Sequence, residues 1–120
     1  MVNTLTDELL DKAIEFVQSK GYENIKASQH DNFDSPTSFS STDDSAVAPD
    51  ITATKRGTKS YFQVSLKNDD EQGTVTKWKL FATLAEMKNG KFYLLAPRGH
   101  KSFTTNLVKT YNINATVVSI

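Results

Sequence analysis

Asp50, Ser65 and Lys67 are the residues whose types and spacing can do chemistry together. They lie in Pro49-Asp50-Ile51-Thr52, a glycine turn at Gly57, then Tyr61-Phe62-Gln63-Val64-Ser65-Leu66-Lys67. Side chains alternate across a strand. In the second arm Phe62, Val64 and Leu66 point one way, and Tyr61, Gln63, Ser65 and Lys67 the other. In the first arm Asp50, Thr52 and Thr54 share a face opposite Ile51 and Ala53, so pairing the arms is expected to bring Asp50 beside Ser65 and Lys67. A carboxylate, a hydroxyl and an ammonium then meet at one edge. Carboxylate oxygens are natural ligands for a hard divalent ion, which polarises a phosphate and lowers the pKa of an attacking water. Gln63 and Tyr61, on the same face, add hydrogen-bonding groups suited to a phosphate or a base.

This arrangement resembles the PD-(D/E)xK nuclease superfamily, whose signature is Pro-Asp, a spacer containing a hairpin turn, then an acid, any residue and Lys. Pro49-Asp50 and Lys67 match, and Ser65 stands where the family has Asp or Glu. The resemblance implies a nuclease, endo- or exonucleolytic, that hydrolyses phosphodiester bonds in nucleic acid with Mg²⁺ or Mn²⁺. Asp50 would be the primary metal ligand and Lys67 would orient or help deprotonate water. Ser65 offers only a neutral oxygen, so a displaced carboxylate is required. Glu86 is the candidate in the following helix; Glu71, Glu8 and Glu15 are alternatives. Two further readings stay open. One is a degenerate, noncatalytic member of the fold that binds nucleic acid or a protein partner, suggested by Ser65 and by zero net charge. The other is an unrelated α/β binding protein in which Asp50 and Lys67 are incidental. Many enzymes of this fold act as dimers, so a homodimer is among the expectations.

Other chemistry finds little support. Gly57, Gly73, Gly90 and Gly99 are dispersed and form neither a phosphate-cradling loop nor a dinucleotide fingerprint. The serines lack a nucleophile elbow. The chain has no cysteine and only His30 and His100, which rules out thiolate catalysis and cysteine-held metals. Arg98 and His100, in a loop after a strand, are candidates for phosphate contact.

The 120 residues suit one domain, and the absence of a basic-then-apolar leader or of about 18 consecutive apolar residues makes a cytoplasmic protein without a membrane span the expectation. Formal net charge is zero, yet unevenly spread. Residues 1–50 hold three lysines against ten acids, whereas residues 51–120 hold eleven Lys or Arg against four. The second part is therefore the one able to face phosphates.

Residues 6–20 are predicted to form an amphipathic helix, from Leu9, Leu10, Ala13, Ile14 and Val17 at helical spacing, with Thr6 as its cap, Leu5 and Leu10 as a hydrophobic staple and Lys20-Gly21 as its stop. A strand is expected over 22–27, then a long polar loop over 28–45. The hairpin spans 47–67, turning at Lys55-Arg56-Gly57-Thr58, and a polar loop follows through Gly73. A helix over 75–88, with bulk from Trp78, Phe81, Ala82, Ala85 and Met87, precedes a buried strand over 91–96, a helix over 102–110 and a last strand over 115–120. The predicted class is α/β, with a central mixed β-sheet flanked by helices in the order α-β-β-β-α-β-α-β. That order also fits the restriction-endonuclease-like fold of the family resembled.

Overall fold

The computed structural model describes residues 7–27, 39–40, 46–47, 49–66 and 70–120. Its elements are α1 (Asp7–Ser19), β1 (Glu23–Ala27), β2 (Phe39–Ser40), β3 (Ala46–Val47), β4 (Ile51–Lys55), β5 (Thr58–Val64), α2 (Glu71–Met87), β6 (Phe92–Ala96), α3 (Lys101–Thr110) and β7 (Thr116–Ser119). Five strands form one mixed sheet in the spatial order β1-β4-β5-β6-β7, antiparallel from β1 to β5 and parallel from β5 to β7. The parallel half arises because α2 and α3 each carry the chain back along the sheet before the next strand begins.

Strand alternation sorts the core into two layers. Phe62 and Val64 of β5 and Leu95 of β6 pack with Leu10, Ala13, Ile14 and Val17 of α1. Tyr61 of β5 and Phe92 and Leu94 of β6 pack on the other face with Val75, Trp78, Phe81 and Ala85 of α2 and Leu107 of α3. Burying a large apolar side chain contributes about 1.5–3 kcal/mol, so both layers need their helices. Phe62 and Tyr93, paired across β5 and β6, stack with ring centroids 5.1 Å apart. Among the described residues no helix is long and apolar enough to cross a membrane.

Several expectations need correction. Phe39 and Ser40, placed in the long loop, form β2 and pair with β3. Val47 belongs to that small ladder, and the main hairpin begins at Ile51. The rest of the loop, Thr6 and Leu5 lie outside the described residues. Helix α2 starts at Glu71, because Asp70 caps it by accepting a bond from Gly73 N at 3.1 Å. Met87 is 73% exposed and supplies no core. Val117 and Val118 are half-buried, since β7 is an edge strand with a neighbour on one side only.

Candidate functional site

The β4–β5 turn sets the register that places the predicted residues. Lys55 pairs with Thr58 around Arg56 (φ 54°) and Gly57 (φ 79°), a two-residue loop with both centres left-handed, as a type I′ turn requires. Counting back along the ladder, Ile51 pairs with Phe62. Asp50 therefore falls opposite Gln63, two residues short of Ser65. Two hydrogen bonds fix it there. Asp50 N donates to Gln63 Oε1 at 2.9 Å, and Val64 N donates to Asp50 Oδ2 at 2.9 Å. Successive strand amides point to opposite edges. Accordingly Ser65 N donates to Leu95 O of β6 at 2.8 Å, while the Val64 amide faces β4, where the Asp50 carboxylate serves as its acceptor.

The surroundings of Asp50 are mostly protein. Burial pushes its pKa up to about 6, against the opposing pulls of the Val64 amide and of positively charged Lys77. Lys77 is half-buried on α2, four residues before Phe81, on the flank of the helix core. Sequence reasoning missed it, and only the docking of α2 on β5 reveals it.

Ser65 was expected at an open edge and is instead 1% exposed. Its hydroxyl bonds to that of Thr104 on α3, which itself donates to His100 O at 2.8 Å. The Thr104 proton is thus committed to His100, and Ser65 is the donor of the pair. Gln63, predicted to touch nucleic acid, is 6% exposed and its carbonyl is taken by Asp50 N. Both corrections have one cause. The polar row of β5 lies beneath the helices of the βαβ units, so its hydrogen bonds are satisfied inside the protein.

Arg98 is exposed and His100 half-buried in the β6–α3 loop, at the carboxyl end of β6. The Ser65–Thr104–His100 chain ties this loop to the end of β5. Glu86 is not brought to Asp50. Helix α2 runs back along the sheet, so Glu86, nine residues after Lys77, is displaced by roughly 13.5 Å along the axis. There it is exposed beside Lys91 and Phe92, at the amino end of β6. Glu71 accepts a bond from the Tyr111 hydroxyl at 2.7 Å, while Glu8 and Glu15 are exposed on α1. Lys67 lies outside the described residues.

A hard divalent ion held by protein oxygen calls for convergent carboxylates. Among the described residues no three of His, Cys, Asp and Glu gather into a metal-holding group, and the side chain facing Asp50 is the neutral amide of Gln63. Comparison with protein families, curated proteins and solved structures finds no match to the chain.

Proposed function

We propose that this protein is a noncatalytic module of the PD-(D/E)xK-like type that binds nucleic acid. The pairing of Asp50 with Gln63 carries the reading. A second carboxylate from the facing arm would stand across from Asp50, and that position holds the Gln63 amide, which already accepts from Asp50 N. Two residues on, where a lysine would face the same centre, stands Ser65, bonded to Thr104 under α3. The Asp50 carboxylate, just before β4, extends the β4–β5 ladder by accepting from Val64 N, which engages one of its two oxygens. Support for nucleic acid as the partner comes from the basic excess of residues 51–120.

Calorimetric titration with Mn²⁺ tests the missing ligand. The native protein is expected to show no saturable heat. Gln63→Glu, which puts a second carboxylate across from Asp50, is expected to gain a site that Asp50→Asn then abolishes. Saturable binding by the native protein, lost in Asp50→Asn, would restore the metal-dependent nuclease reading.

A further inference from the structure

Lys26, Lys55, Arg56, Lys59, Lys88 and Lys91 gather at the opposite end of the sheet from Asp50, around the β4–β5 turn and the α2–β6 loop. A cleft of about 380 Å³ opens there, with Tyr22, Ser60 and Tyr93 in its lining and the cations Lys55, Arg56 and Lys91 around it. The three hydroxyls form one network. Tyr22 Oη donates to Tyr93 Oη at 3.4 Å, Ser60 Oγ accepts from Lys91 N at 3.2 Å, and the Ser60 hydroxyl acts on the Tyr22 phenol to lower its pKa. Burial and the Tyr93 hydroxyl raise the Tyr22 pKa, so the phenol remains protonated at neutral pH. Lys55 Nζ sits 5.3 Å from the centre of the Tyr22 ring.

The charge continues around the rim. Lys55 and Lys59 belong to opposite faces of the hairpin, because Lys55 pairs with Thr58 and Lys59 with Thr54. Lys59 is pushed below the ordinary lysine range by burial and by the nearby charges of Lys26 and Lys88. Lys26, Lys59 and Lys88 thus flank one face, and Lys55, Arg56 and Lys91 the other. Among the described residues, acids at this end include Glu23, paired with Thr54 in the ladder, and Glu86, beside Lys91.

The cleft is held in place by its backbone. Gly90 lies so close to β5 that a Cβ there would meet Lys59 O at 1.6 Å, and Tyr61 N donates to Lys91 O at 2.9 Å. The turn itself carries a sign of function. Position one of a type I′ turn favours Asn, Asp or Gly, which tolerate positive φ, yet an exposed Arg56 occupies it at φ 54°.

We infer that this basic rim is the surface on which the protein holds the phosphodiester backbone of nucleic acid, with the cleft of Tyr22, Ser60, Tyr93 and Lys91 seating one phosphate and the flanking cations its neighbours. The inference rests on the nucleic-acid reading above and assigns it a place. A single small anion would leave most of the cations unmatched, because they are distributed over both faces of the hairpin, whereas a chain of phosphates meets them in succession.

The test is anisotropy of a fluorescein-labelled DNA duplex, titrated with the full chain at several salt concentrations. The native protein is expected to bind with log K falling linearly in log salt. The triple change Lys55→Gln, Arg56→Gln, Lys91→Gln should weaken binding at least about tenfold and flatten the slope by about 2.7, at 0.9 per lost phosphate contact. Lys101→Gln, at the other end of the sheet, should leave affinity within about twofold. Arg56→Asn should weaken binding while raising Tm by about 2–4 °C, since it relieves the turn. Native binding that survives the triple change and is lost in Lys101→Gln would overturn the rim while leaving the nucleic-acid reading in place. So would a triple variant that loses Tm but binds normally, because the cations would then only compensate the carboxyl ends of α1 and α2. No duplex binding at low salt, or sedimentation with phosphatidylserine vesicles in its place, would overturn both.

Discussion

Gly90→Ala is expected to lower Tm by about 10–15 °C, the stability loss being about 3 kcal/mol or more. The added Cβ would lie 1.6 Å from Lys59 O and 2.7 Å from Lys59 C, both backbone atoms of a strand interior to the sheet. Neither side can yield cheaply. Gly90 N is bonded to Ala85 O at 2.8 Å, Lys91 N to Ser60 Oγ at 3.2 Å and Tyr61 N to Lys91 O at 2.9 Å, so moving the loop breaks the attachment of β6 to β5 at its start. Gly73→Ala is the internal contrast. Its Cβ would meet the Asp70 carboxylate at 2.2 Å, but that is the end of a flexible side chain, which can swing away. Only the helix cap is then lost, about 1 kcal/mol. Thermal melts of the two variants should therefore differ several-fold in their shifts. Equal small shifts would mean that the α2–β6 loop does not press on β5.

Asp50→Asn is expected to stabilise the protein at neutral pH, and the gain should vanish in acid. The folded-state pKa of Asp50 is about 6 against an ordinary 3.8. Between those values the folded state binds more protons than the unfolded chain, so the Asp50 contribution to stability falls as pH rises from about 4 to about 6. At 1.36 kcal/mol per unit the loss is about 3 kcal/mol at most. Asparagine keeps an oxygen for the Val64 amide and carries no charge. The variant should therefore exceed the native protein by up to that amount above about pH 6, with the curves meeting below about pH 4. Urea midpoints measured across pH on both proteins isolate the effect, because the other titrating groups are common to both. A native protein that loses stability relative to the variant on acidification from pH 6 to 4 would show instead that Asp50 is held ionised, as a working metal ligand would be.

The faces of β5 were legible because alternation is local. Phe62 and Val64 do turn to α1, and Tyr61, Gln63 and Ser65 to the other side. Register is nonlocal, and there the reading slipped by two residues. The signal was nevertheless present in Lys55-Arg56-Gly57-Thr58, because a two-residue turn pairing Lys55 with Thr58 leads back to Asp50 opposite Gln63. Glu86 was singled out as the acid of the following helix, and the sequence does not say where along the sheet that helix carries it. A crossover helix runs against its strands, so an acid near its carboxyl end returns to the amino end of the parallel strands. The burial of Ser65 was hidden for another reason. A row of polar side chains reads as a solvent face unless it is known that Thr104 will descend on it from a helix thirty-nine residues later. Lys77 and the hydroxyl cleft left no sequence signal, since each is assembled from elements that meet only in the folded chain.

The most direct measurement follows the fate of an end-labelled DNA duplex incubated with the purified protein and Mn²⁺, read at once for complex formation and for strand integrity. The account predicts a retained complex and uncut strands. Cleavage by the native protein that Asp50→Asn abolishes would contradict it and make the carboxylate at the start of β4 a catalytic group.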